Sequence, residues 1–420
     1  MSNKSKYILL TISVFFIFAG IQAQKNTYSP YSRFGIGDIA REGFGRNHAM
    51  GGIGFGLRDA NHINYQNPAA NSAQDTMSFI FSTGISGNTT QLAGSEGSHN
   101  VTNITLSHLA IGFPLSRWWK TGFGLVPYSR MGYNIIDVDL QSEHYYEGTG
   151  GINQFYFGNA WNITNNISAG VNLSYLFGSL TQDRTLLFPL SENTFSVKSQ
   201  SRAIVGDFHI RYGLQYTNRI MDGYHYTLGV IYENKTPLKT DQDWLIINEL
   251  STSSGPVRDT VLNYIADKSH IDLPARYGFG ASFGRHDKFL VGADYSFQQW
   301  SETNFLDQQR DSLVNSSSFN IGAQFIPDHT DFRSLWRRIN YRVGFHYSNT
   351  YLQLRDHQLK DYGITLGIGI PYGNNKTTFN FSMDIGRRGT RDSDLIQENY
   401  IMFNLSLSLY DFWFFQRRFE

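Results

Sequence analysis

The stretch "YIMFNLSLSLY" near the C-terminus sorts its side chains into two classes. Ile401, Phe403, Leu405, Leu407 and Leu409 take every second position, with Met402, Asn404, Ser406 and Ser408 between them. A period of two is the period of a strand, so one face is apolar and the other mostly polar. Phe379, Phe381, Met383 and Ile385 alternate in the same way with Thr378, Asn380, Ser382 and Asp384. Upstream, Ile204, Phe208, Ile210, Tyr212 and Leu214 oppose Ser201, Asp207, His209, Arg211 and Gln215.

About fourteen such segments run from Thr76 to Tyr410. They include 76–87, 102–113, 119–145, 222–245, 258–285 and 398–410. A soluble β-sandwich alternates too, but three features favour a membrane barrel. The segments run to about ten residues or more, against about five or six for a soluble strand. Asp207, Arg211, Asp294, Arg342 and Asp384 place charge in strand centres, as a wet lumen allows. An exported chain without long apolar helices crosses the outer membrane as a closed barrel. The expected fold is therefore all-β: a transmembrane antiparallel barrel over residues 76–410. Residues 284–288 and 371–376 read as short turns, and the polar links 241–262 and 301–316 as extracellular loops.

The third segment is irregular. Pro127 cannot donate to a ladder and Gly132 invites a bulge, so a kink or a gap in pairing is expected there. The alternative is a rim turn that splits the segment into two strands. Asp207, His209 and Arg211 form a candidate polar row on the lumen wall. That row is a proton or carboxylate site, or a wall of solvated, mutually paired groups.

The N-terminus differs from all this. Lys4 and Lys6 precede the apolar run "YILLTISVFFIFA", and a small residue stands at Ala23. Residues 1–23 are expected to be a signal peptide, with Gln24 opening the mature chain. No cysteine follows, so no lipid anchor and no disulfide is expected. Residues 24–75 lack sustained alternation but are rich in glycine, as a compact plug ahead of the barrel would be. Residues 411–420, with Trp413, Phe414 and Phe415, form an aromatic and basic tail suited to a membrane interface.

Charge narrows the partners. The 35 basic and 35 acidic residues balance, and losing Lys4 and Lys6 leaves a net −2. Nothing in that balance favours nucleic acid. Phe 32, Tyr 25, Trp 7 and Gly 40 suit strands that face lipid. No Gly-x-Ser-x-Gly, His-Glu-x-x-His or phosphate loop is present, so neither an enzyme nor a cofactor or metal is expected. Asp75-Thr76-Met77, Asp259-Thr260-Val261 and Asp311-Ser312-Leu313 fit a periplasmic O-glycosylation pattern, a side reading only.

"AMGGIGFGLRDANHINYQNPAA" resembles the N-terminal hatch of the FadL/TodX family of outer-membrane fatty-acid and hydrocarbon transporters. The likeness rests on Met50 to Gly52, on Gly54, on Asp59 and above all on Asn67-Pro68-Ala69. The end "WFFQRRF" resembles termini of Bacteroidetes-type relatives. The resemblance implies a fourteen-strand barrel plugged by its own N-terminus and placed among outer-membrane lipid and lipopolysaccharide. Gly51, Gly52 and Gly54 would be hinges of the plug, and Pro127 to Gly132 a lateral exit for a hydrophobic ligand. A buried acyl chain gains about 0.8 kcal/mol per CH₂, which is the attraction such a pocket offers. The family also holds barrels that do not transport but serve as subunits of envelope protein complexes, such as the type IX secretion system. The expected function is therefore transport of long-chain fatty acids or other hydrophobic small molecules by plug rearrangement and lateral exit, with a non-transporting subunit role as the alternative.

Overall fold

The structure, a computed structural model, describes residues 29–413 apart from 96, 189–193, 222, 253–254, 305–311, 332 and 373–375. The expected signal peptide, Asp311 and residues 414–420 of the expected tail lie outside the described residues.

A two-residue strand, β1 (Asp38–Ile39), opens the chain, and a single helical turn follows at Gly45–His48. Next come β2 (Ser78–Gly94), β3 (Gly97–Pro114), β4 (Trp119–Val138) and β5 (Glu143–Asn162). They are followed by β6 (Ile167–Leu187), β7 (Ser196–Met221), β8 (Tyr224–Glu233) and β9 (Thr236–Thr252). The second half holds β10 (Gly255–Leu273), β11 (Arg276–Arg285), β12 (Phe289–Gln298) and β13 (Ser316–Phe325). Last are β14 (Asn340–Leu354), β15 (His357–Pro371), β16 (Thr378–Arg388) and β17 (Gln397–Phe412).

Each strand from β2 onward pairs antiparallel with its neighbours, and β17 returns to β2 over its whole length. β7 pairs with β8 along its lower half and with β9 along its upper half. β8 and β9 are thus one long strand broken at Asn234–Lys235. β10 and β11 are likewise one strand, broken where Pro274 stands, pairing first with β9 and then with β8. Counted this way the ring is a closed barrel of fourteen antiparallel strands. The link 241–262, expected as an extracellular loop, is instead the tip of this hairpin. Its residues alternate poorly, and 243–250 are half-buried on both faces.

Burial is inverted relative to a soluble protein. Phe208, Tyr212, Phe279, Ile364 and Leu405 are exposed, while Asn172, Ser174, Arg211, Asp294 and Asp384 are buried. Apolar residues outside and polar residues inside mark a lipid-facing wall. Among the described residues no helix is long and apolar enough to cross a membrane.

Residues 29–75 pack against the buried polar face. At the end of the ring away from the start of β2 and the end of β17 lies a buried apolar cluster. It joins Tyr31 and Ile36 to Leu176, Trp300, Tyr351 and Leu352, with Trp300 stacked on Tyr351 at 4.6 Å between ring centres. The other end carries the start of β2 and the end of β17. There Trp413, just past the end of β17, stacks on Phe79 with ring planes 4° apart.

Candidate functional site

The Asn67-Pro68-Ala69 tripeptide is a docking element. Asn67 Oδ1 accepts from the Ala69 N–H at 3.1 Å and caps the 3₁₀ turn Pro68–Ala73. Its Nδ2 donates to the Phe55 carbonyl at 2.8 Å. A Cβ on Gly170 of β6 would stand 2.5 Å from the Ala69 nitrogen, and one on Gly213 of β7 would stand 2.8 Å from Pro68 Cδ. The two barrel glycines make room for the tripeptide.

Gly51 and Gly52 hold φ of +68° and +86°, the left-handed region that glycine occupies freely. Gly51 N–H donates to Thr365 Oγ1 of β15 at 2.8 Å. Gly52 N–H donates to the Asn47 carbonyl at 2.8 Å. Gly54 and Phe55 N–H groups both donate to Asp294 Oδ2 of β12, at 2.5 and 2.8 Å. Gly51, Gly52, Gly54, Asn67, Pro68 and Ala69 thus all contact the segment itself or the strands.

Three charged residues in the short run "GDIAREG" hold the segment from different sides. Asp38 pairs with Arg388 of β16 at 2.6 Å. Arg41 meets Asp361 of β15 at 2.9 Å, Asp384 of β16, the Tyr400 hydroxyl of β17, and His346 Nε2 of β14 at 3.0 Å. Glu42 accepts from Arg276 of β11 at 2.7 Å and from Arg211 of β7. These pairs are largely out of water, where an unpaired charge is costly and a paired one is held in place.

The expected polar row divides. His209 and Arg211 point to one carboxylate, Glu233 of β8, at 3.1 and 2.5 Å. Asp207 does not join them and accepts from the Lys239 N–H of β9 at 3.1 Å. Sequence reasoning missed Glu233, Arg41, Glu42 and Asp38. The available signal was three charges within a glycine-rich, non-alternating stretch, opposite charged strand centres.

The third expected segment, 119–145, takes in β4 and the first residues of β5; the Pro127–Gly132 region lies within the single strand β4, which has a bulge and a gap in its pairing with β3. β3 and β4 pair only from Leu109–Leu125 to Pro114–Lys120. Beyond that point they part, and Tyr128 is an extra residue between Pro127 and Ser129 in the β4–β5 ladder. Pro127 has no N–H to offer β3, which is a physical reason for the ladder to stop there. The bare edge is partly taken by the N-terminal segment, since Asp38 and Ile39 pair with Arg130 and Ser129. Gly132 exchanges hydrogen bonds of 3.0 Å with Ser29 and Ser32. Arg130 Nη2 reaches across to the Leu106 carbonyl at 3.2 Å.

Behind the gap lies a cavity of about 210 Å³ lined by Ser86, Asn88, Thr90, Asn103, Thr105 and Pro127 on the strands. Arg41, His48 and Glu398 line it too. Ile39, Tyr65, Val126 and Met402 add apolar surface to these hydroxyls, amides and charges, so the lining is mixed. Burial, with the Arg41 guanidinium nearby, pushes the His48 imidazole down to about 4.

Solved structures share this architecture. The Pseudomonas putida toluene transporter TodX matches with a TM-score of 0.60 at 15% identity, covering 90% of this chain and 99% of that one. The CymD monoaromatic hydrocarbon channel matches at 0.58 and 15% identity, covering 89% and 98%. A Pseudomonas aeruginosa FadL homologue matches at 0.57 and 11%, covering 89% and 99%. At these identities the likeness defines the fold. The protein is a FadL-like barrel of the outer-membrane type. More narrowly, the chain belongs to the BamG family, whose sequence profile matches residues 4–420. Among curated proteins none matches.

Proposed function

We propose that the chain is a plugged outer-membrane barrel that serves as a subunit of an envelope protein assembly. Residues 29–75 are its plug, seated in the lumen, and both ends of the barrel chain face the periplasm. The observation that carries this reading is the state of the interior. The apolar space beyond the plug is taken up by the protein's own Trp300, Tyr351 and Leu352, and the cavity behind the wall gap, about 210 Å³, mixes apolar surface with the charges of Arg41, Asp361, Arg388 and Glu398. A hydrocarbon gains by leaving water only where it meets apolar surface. Membership in the BamG family supports an assembly role. We assign the chain no catalytic step. Depletion in its own host tests the reading: the outer-membrane content of other barrel proteins falls while uptake of long-chain fatty acids is unchanged. The reverse pattern overturns it.

A second reading is favoured by the β3–β4 gap: passage of a hydrophobic small molecule sideways through the wall, long-chain fatty acids included. Its support is the shared fold with hydrocarbon channels and the break at Pro127. On this reading Pro127→Val changes uptake of an apolar solute into cells without changing barrel assembly. Unchanged uptake removes its support.

A further inference from the structure

At the end of the ring that holds the start of β2 and the end of β17 lies a second cavity, of about 540 Å³. The turns 286–288 and 326–339 and the segment around Asp59 surround it. Seven cationic side chains line it, among them Arg46, Arg58, Arg285, Lys288 and Arg342, against three carboxylates. Those carboxylates are already engaged. Asp59 pairs with Arg46, Asp75 with Lys376 at 2.6 Å, and Asp287 with His286 at 3.1 Å.

Arg342 is 4% exposed, and among the described residues its hydrogen bonds go to the neutral Gln324 Oε1 at 2.9 Å and Asn380 Oδ1 at 2.6 Å. Its Nη2 has no partner among the described residues, and neither does Nε of Arg46, which is 6% exposed. Arg58 likewise bonds to neutral acceptors, including Ser72 and Ser168 at 2.8 Å. A buried guanidinium without a counter-ion is costly, and a carboxylate satisfies it through charge-assisted hydrogen bonds. Arginine's planar fork suits that partner.

We propose that this cavity binds the carboxylates of an acidic peptide segment presented from the periplasm, with Arg342 as the inner anchor and Arg285 and Lys288 at the mouth. Charge complementarity selects the acid. The cavity's size, and the apolar surface of Phe289, Leu290 and Ile326 between the cations, suit a peptide rather than a bare ion. This inference goes beyond the assembly role and rests on the proposed function only for the periplasmic orientation of this end.

The test is fluorescence anisotropy of a labelled peptide of alternating Glu and Ala, titrated with the full-length protein in nanodiscs. Saturable binding is expected, weakening as salt rises from about 50 to about 300 mM. It is expected to weaken by about tenfold or more in Arg342→Gln and in Arg285→Gln/Lys288→Gln. The mouth variant leaves the interior intact, so it decides the matter if Arg342→Gln fails to fold. A Lys/Ala peptide is expected not to bind. Absence of saturable binding, or binding unaltered by either variant, overturns the site. Displacement of the peptide by inorganic phosphate at equal concentration overturns the peptide as its ligand.

Discussion

Glu42 of the N-terminal segment receives the Arg276 guanidinium of β11 at 2.7 Å, and the same carboxylate takes Arg211 of β7. One side chain thus ties two strands that are separated by β8 in the ring. Glu42→Gln keeps the shape and removes the charge, leaving Glu233 as the one carboxylate between two buried cations. Breaking such a pair costs about 3–5 kcal/mol. Amide exchange of residues 29–75 is expected to accelerate while that of the strands stays slow. Equal protection in both proteins would show that the pair does not hold the segment.

Gly170 of β6 allows the backbone of Pro68 and Ala69 to touch the wall. A Cβ there would stand 2.5 Å from both the Pro68 carbonyl carbon and the Ala69 nitrogen. Gly170→Val therefore forces the tripeptide away, at roughly 1–3 kcal/mol or more. The expected readout is earlier protease cleavage within 29–75 at unchanged barrel heat-resistance on gels. Cleavage at the wild-type rate would place the tripeptide elsewhere.

Deletion of residues 25–70 removes the segment but none of the strands of the closed ring. The truncated protein is expected to insert into planar bilayers and conduct small ions steadily, whereas the full chain is closed. A truncated barrel as tight as the full one contradicts the plug.

Acid is expected to loosen the same segment. His48 has its pKa near 4 when docked, below the ordinary 6.5, because of burial and then of Arg41, with Asp384 pulling the other way. The docked state therefore binds fewer protons than the released one between those values. Stability is present above about pH 6.5 and is lost as pH falls toward 4. Protease sensitivity of 29–75 should rise over that window, and His48→Gln should flatten the rise. A profile identical in both proteins removes His48 from the account.

The wall was readable from period-two alternation because lipid on one side and polar groups on the other demand it at every residue. Each of the fourteen expected segments overlaps a strand of the ring, with bounds that differ at the ends, and the Pro127 irregularity was visible because proline lacks an N–H. Only the tip of the hairpin β9–β10 was not readable as strand: Leu245, Ile246 and Ile247 break the alternation, and residues 243–250 are half-buried on both faces. Asp38, Arg41 and Glu42 were missed for another reason. Their partners lie some 170 to 350 residues away, as Arg211 and Arg388 do, and a single sequence does not reveal which charges meet. Asp207 fell into the expected row by spacing alone, while the kink after Glu233 turned its partner into a backbone N–H.

The central claim is tested most directly by native mass spectrometry of the protein extracted gently from its own outer membrane. The account predicts a fixed-stoichiometry assembly with other envelope proteins and no apolar molecule retained in the barrel. A monomer that carries a long-chain apolar ligand would contradict it and make the gap at Pro127 an exit.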